Sequence, residues 1–254
     1  MLMSACTNRR DFLRRAALAA TAAVGGVSAL PSLLAAQQPP VKSGRHVSPR
    51  SNEFVFARLR YESGDWDYNP KVRANVLDAV VQYTGIQVQP REIVITADSV
   101  ELSSYPFLFM TGHKLVRFNE KERRGIVRYV ENGGLLFSDD CNHDVNGLYA
   151  RSFETEMHKA FGPGDVLARI PNSHPLYRAF FTFHGPPQTS HELNGCGDNS
   201  VHGYLRGVER RGRLGVIYSN QDYGCEWDYS WKNKQYRPKD NTRFVVNMIV
   251  YTMT

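Results

Sequence analysis

Strand-like and helix-like stretches alternate along most of this 254-residue chain at the spacing of βα units, and that alternation restricts the architecture more than any other feature. Phe54 to Tyr61 is rich in strand formers and runs into Ser63-Gly64. Asn69 can cap a following helix, Pro70 suits its first position, and Val72, Val76, Leu77, Val80 and Val81 share one face until Gly85. Ile93 to Ile95 and Phe107 to Met110 read as strands. Asn119 and Glu122 have capping-box spacing, ahead of a helix with Ile126, Val127 and Val130 on its apolar face and Gly133 at its end. Leu135 to Ser138 is a buried strand by composition, Phe153 to Phe161 marks a helix, and Val166 to Ile170 is a short strand. The pattern fails from Pro171 to Gly212 and returns as a strand at Gly215 to Ser219. After a long polar, aromatic loop, Phe244, Val245, Met248, Ile249 and Tyr251 give a closing helix.

The economical architecture is an α/β fold, an open and mainly parallel sheet with helices on both faces. It forms a single domain over residues 52–254 with an irregular insertion around 171–212. Such sheets bind ligands beyond the carboxyl ends of their strands. The polar residues placed there are Asp65, Trp66 and Asp67, then His113, then Asp139 to Asp144, and finally Asp222. Four strand ends are expected to converge, with His113, Asp140 and Asp222 facing one cavity.

Several short stretches, in order, resemble the bacterial family known as domain-of-unknown-function 4159. They are Phe56 to Tyr61 with Gly64-Asp65-Trp66, Pro106-Phe107 with Thr111-Gly112-His113, and Gly133 to Phe137 with Asp139-Asp140. His174-Pro175, Gly212-Arg213-Leu214, Asp222 to Cys225 with Trp227, and Asn247 with Tyr251 continue the series. The family in turn is similar to the class I glutamine amidotransferase-like proteins, including the trehalose-utilisation-like ones, which implies a flavodoxin-like sheet. The amidotransferase nucleophile is a Cys in a Gly-x-Cys-x-Gly turn after a strand. Cys141 sits at a comparable place, but Asp140 and Asn142 replace the glycines, and glutaminase activity is not carried over.

The chemistry stays open among several readings. A divalent transition metal could be held by His113, Asp140, His143 and Asp222, since mixed imidazole and carboxylate ligation suits zinc, manganese or iron better than calcium. Against it, acidic residues after strands commonly cap helices. A nucleophilic Cys141 could pair with His113 or His143, although neighbouring carboxylates would raise its pKa. A hydrolase could instead use His113 as general base oriented by Asp140, with Asp222 as a third catalytic group. For ligand binding the candidates are Asp65, Trp66, His113, Asp139, Asp140, His143, Asp222 and Trp227, the aromatic faces suiting a sugar unless they anchor loops to the core. The leading expectation is a domain that recognises a small polar or glycan-like ligand in a polar pocket at the strand ends; a hydrolase at the same pocket is the alternative.

Asn8-Arg9-Arg10-Asp11-Phe12-Leu13 followed by an uncharged, Ala-rich run to Ala36 resembles a twin-arginine signal, which exports folded proteins. Residues 1–36 are therefore read as the signal and 37–51 as a flexible leader. The translocation machinery is the implied partner and a periplasmic or other extracytoplasmic location the implied destination, with membrane contact only through an uncleaved signal. Of 31 Lys and Arg and 25 Asp and Glu, four arginines and Asp11 lie in the signal, leaving 27 against 24. That near balance, with no basic block, argues against a nucleic-acid partner. Cys196 and Cys225 are a candidate disulfide in an oxidising compartment, with Cys141 left free.

Overall fold

The first strand of the sheet, β1 (Glu53–Leu59), alternates large residues between two cores: Phe54 and Phe56 enter one, Val55, Ala57 and Leu59 the other. A computed structural model describes residues 53–142, 144–164, 166–189, 201–228 and 240–254, all within the compact unit Ser48–Thr254. The stretches read as signal and leader lie outside the described residues, as do His143, Cys196 and Trp231.

The chain continues through α1 (Val72–Tyr83), β2 (Gln87–Ile95), β3 (Phe107–Gly112), α2 (Glu120–Glu131), β4 (Leu135–Asp140), α3 (Leu148–Phe161) and β5 (Ala168–Arg169). It ends with β6 (Arg206–Arg210), β7 (Arg213–Ser219), α4 (Tyr223–Asp228) and α5 (Asp240–Met253). One seven-stranded sheet has the order β2-β1-β3-β4-β7-β6-β5. The first five of these are parallel; at one end β6 runs antiparallel to β7, and β5 antiparallel to β6. The parallel part repeats the 2-1-3-4-5 arrangement of flavodoxin-like sheets, with the order reversing between β1 and β3. Residues of α2 and α3 build the core on one face, and those of α1, α4 and α5 the core on the other. Among the described residues no helix is long and apolar enough to cross a membrane.

The capping box forms as expected: Asn119 accepts from the amides of Lys121 and Glu122, and Glu122 returns to the amide of Asn119. Three local expectations are corrected. Asn69 does not cap α1, which begins at Val72; Asp228 of α4 accepts the Lys71 amide instead, at 2.6 Å. The long loop after β7 opens with the helix α4. The irregular insertion contains β6, joined to β7 by Arg211 and Gly212, whose φ values of 52° and 75° are those of a two-residue hairpin turn. The Arg-Gly pair between two short alternating runs was the available signal for it.

One buried cation organises the β1–α1 connection. Arg58 is 2 % exposed; it pairs with Glu92 at 2.8 Å and donates to the carbonyls of Trp66, Tyr68 and Asn69 at 3.3, 2.8 and 3.1 Å. Its guanidinium also lies over the Phe109 ring, 5.2 Å from the centroid. A lysine could not supply this fork of donors. The loop that carries Asp65 and Asn69 is thus tied to the sheet from within.

Candidate functional site at the carboxyl edge of the sheet

Parallel pairing aligns Gly112 with Asp140 and Asp139 with Ser219, so the residues after β3, β4 and β7 gather on one edge, as the alternation predicts. They do not gather into one cluster. Successive side chains of a strand point to opposite faces, and Asp139 and Asp140 consequently serve different sides of the sheet.

On the side of α2 and α3, Asp65 holds His113. Its Oδ2 lies 3.0 Å from Nδ1 of the ring, and its Oδ1 accepts the backbone amides of His113 and Lys114 at 2.9 and 3.3 Å. Burial pushes Asp65 up, but those bonds from His113 outweigh it and hold the carboxyl below its ordinary range. An ionised carboxylate must accept from Nδ1–H, which leaves Nε2 as the ring atom available to a ligand. The His113 side chain is 30 % exposed and that of Asp65 18 %; the Tyr68 ring stands edge-on to the imidazole, 4.2 Å between centroids.

Asp140 does not orient the imidazole, contrary to expectation. It is fully buried, and its Oδ2 accepts from Tyr218 at 3.0 Å while its Oδ1 accepts from the amide and side chain of Asn142. The same Asn142 side chain donates to the carbonyl of His113 at 2.8 Å, so Asp140 and His113 are joined through Asn142. Burial pushes Asp140 up to about 6, opposed by the bonds from Asn142 and Tyr218. Tyr61 completes this side with a bond to the Thr111 carbonyl at 2.9 Å. Gly112 is required here, because a Cβ would sit 2.4 Å from the Tyr61 hydroxyl and 2.8 Å from Asp65.

The other side, toward α1 and α4, is drier. Asp139 accepts the amides of Tyr223 and Gly224 at 3.2 and 2.6 Å, satisfying the first donors of α4. Burial and the nearby Asp222 push its pKa well up. Cys141 lies 3.1 Å from the Thr111 hydroxyl and receives the Asn69 amide at 3.5 Å, while Cys225 donates to Oδ1 of Asn69 at 3.5 Å. One ligand atom each from Cys141, Asp222 and Cys225 lies within 4.8 Å of the others.

These positions settle several expectations. Asp222 reaches the expected edge but joins the cysteines, not His113. The metal set of His113, Asp140, His143 and Asp222 is not assembled among the described residues: His113 is engaged by Asp65, Asp140 by Tyr218 and Asn142, and His143 lies outside them. Cys141 is buried, and burial together with Cys225, Asp222 and Asp139 pushes its thiol well up, the wrong direction for a nucleophile. Cys225 is a free thiol beside Cys141, and the expected partner Cys196 lies outside the described residues. Trp227 offers no face to a ligand; it is 1 % exposed, packed against Phe137 and Tyr223, with its indole N–H donated to the Asn241 carbonyl. Trp66 stays partly buried beside the α2 and α3 core.

The family model described as "Domain of unknown function (DUF4159)" matches residues 55–253. The chain belongs to the DUF4159 family. No curated protein matches it. The match runs from β1 into the last turn of α5, so both clusters lie inside the DUF4159 domain. Sequence reasoning missed two residues that position them. Arg58 looked like one strand residue among others, since Arg60 two residues on gives the same local pattern and only burial separates the two. Asn69, read as a cap, has φ of 60° and spends its side chain on Cys141 and Cys225.

Proposed function

We propose that this protein is exported and binds a small polar ligand beside the reversal between β1 and β3, with Nε2 of His113 as the anchoring atom. The observation that carries the reading is the Asp65–His113 pair. A carboxylate below its ordinary range fixes the ring, and the ring remains partly open at the edge where doubly wound sheets receive ligands. Asp140 and Asn142 stand behind it as further polar partners. A glycan is a weaker candidate than a smaller hydrogen-bonding ligand, because the second aromatic platform, Trp227, belongs to the core. The twin-arginine-like N-terminus supports folded export to an extracytoplasmic compartment with the translocation machinery as partner, and the sheet order supports a distant kinship with glutamine amidotransferase-like proteins.

The test is saturation-transfer NMR of the purified protein against a panel of mono- and disaccharides, amino acids and short carboxylic acids. We expect hits that vanish in His113→Ala and weaken in Asp65→Asn. Hits unchanged by both substitutions would place binding elsewhere.

A second reading is favoured by the same pair. A carboxylate holding the far nitrogen of an imidazole is an arrangement for general base catalysis, which would make the site hydrolytic with Asp65 in the orienting role expected of Asp140. Turnover of p-nitrophenyl esters or glycosides that falls about 100-fold or more in His113→Ala would establish it, a single acid–base group contributing on the order of 100-fold or more.

A further inference from the structure

We propose that Cys141, Cys225 and Asp222 form a binding site for a thiophilic divalent cation of the zinc class. The three come from two segments: Cys141 directly follows β4, while Asp222 and Cys225 lie three residues apart, at the turn into α4 and in its first turn. The fold nevertheless brings a ligand atom of each within 4.8 Å of the other two, a spacing that a tetrahedral ion can span. Asn69 bridges the two sulfurs, its side-chain amide donating to Cys141 and its Oδ1 accepting from Cys225, each at 3.5 Å, so the two thiols already converge.

The donor set selects the metal class. Two sulfurs with one carboxylate suit zinc and its analogues, and do not suit magnesium or calcium, which take oxygen ligands. Binding replaces both thiol protons, which leave to solvent, with two metal–sulfur bonds. Three protein ligands leave a fourth position for water. Cys141 and Asp222 are buried and Cys225 only partly so, which makes the Cys225 side the entry.

Neighbouring groups are arranged as outer partners of such a site. The Asn69 amide donates to Cys141, and the Thr111 hydroxyl, 3.1 Å away, can donate to the same sulfur once it is a thiolate. Asp139, 4.0 Å from Cys141, is committed to the α4 amides and holds that helix, and with it Cys225, in place. The backbone is also unusual here. Of four non-glycine residues with positive φ among those described, Asn69 and Asp222, both at 60°, belong to this cluster. Such conformations persist where surrounding structure over-determines them, and they concentrate at functional sites. The site shares no residue with the Asp65–His113 pair and does not depend on the ligand proposed for it.

Cobalt(II) titration of the full chain, reduced and stripped with a chelator under anaerobic conditions, tests the proposal. We expect one equivalent to bind with thiolate-to-cobalt charge-transfer absorption and the intense d–d bands of a tetrahedral site, zinc(II) displacing it. Both signals should disappear in Cys225→Ser and Cys141→Ser and persist in Cys196→Ser, and Asp222→Asn should weaken binding about tenfold or more. Because Cys141→Ser can disturb packing, wild-type protein supplies a second measurement: zinc should raise its unfolding temperature and protect Cys225 from alkylation. Absence of the cobalt bands in the reduced wild type, or bands that survive Cys225→Ser, would overturn the site. So would a Cys141–Cys225 disulfide that, after reduction, yields a protein with no zinc-dependent stabilisation.

Discussion

The two sides of the sheet edge use the same residue types for different ends. Toward α2 and α3, a half-open His113 is held by Asp65 and backed by Asp140 and Asn142, a cluster whose Nε2 bonds to none of the described residues. Toward α1 and α4, Asp139, Cys141, Cys225 and Asp222 are gathered in a more buried place, where Asp139 receives two backbone amides and the two thiols meet the Asn69 side chain. Asp139 and Asp140 are adjacent in sequence and both buried, yet one caps a helix and the other receives Tyr218. Adjacency along a strand therefore separates residues; it is alternate residues, and residues across the register, that share a site.

Arg58 is the group both sides depend on, because it ties down the loop that sends Asp65 one way and Asn69 the other. Arg58→Ala should cost about 2–4 kcal/mol, because it leaves the carbonyls of Trp66, Tyr68 and Asn69 without their donor while the half-buried Glu92 can still reach water, and should impair ligand and metal binding together. Urea denaturation measures it, and a loss below about 1 kcal/mol would mean that the backbone holds the loop without the side chain.

Asp139→Ala should act on one side alone. It leaves two buried α4 amides without an acceptor, for a loss of about 2–4 kcal/mol, one such orphaned group costing about 1–3. Binding at His113 should survive in the fraction that remains folded. Equal damage to both functions would erase the distinction between the sides.

His113→Ala should do the reverse. The side chain is partly exposed, so the stability change should stay within about 1 kcal/mol while binding of any ligand found by NMR is lost. A large stability loss with binding intact would make His113 structural.

The smallest effect is a pH dependence. Asp65 has a folded pKa below its unfolded value, so its contribution is present above the unfolded value of 3.8 and is lost as pH falls through the lower, folded one. In Asp65→Asn the acid-side decline in stability should be shallower than in wild type between about pH 5 and pH 2, the window in which an ordinary and a depressed carboxyl differ. Chemical denaturation across that range checks it; identical slopes would show that Asp65 gains nothing from His113 on folding.

Much of the fold was legible because it is written in local periodicity. The five parallel strands, their carboxyl-end polar residues and the Asn119 and Glu122 capping box follow from alternation, from turn residues and from three-residue spacing. The antiparallel β6 was masked by the irregular stretch before it, since only five residues and an Arg-Gly turn mark it. The helix α4 was masked by its aromatics, which suggest a ligand-binding loop until Trp227 is seen to fill the space against Phe137 and Phe109.

The sequence by itself determined that His113, Asp140 and Asp222 arrive at one edge, because each follows a strand and parallel strands end together. Only the tertiary structure decided who meets whom there. His113 is held by Asp65 from the neighbouring loop, and Asp222 is drawn to Cys141 and Cys225 by the turn into α4. Strand pairing acts through backbone hydrogen bonds that any residue can supply, and so is encoded locally. Side-chain partnership depends on face, register and the path of loops separated by tens of residues, and no local pattern carries that information.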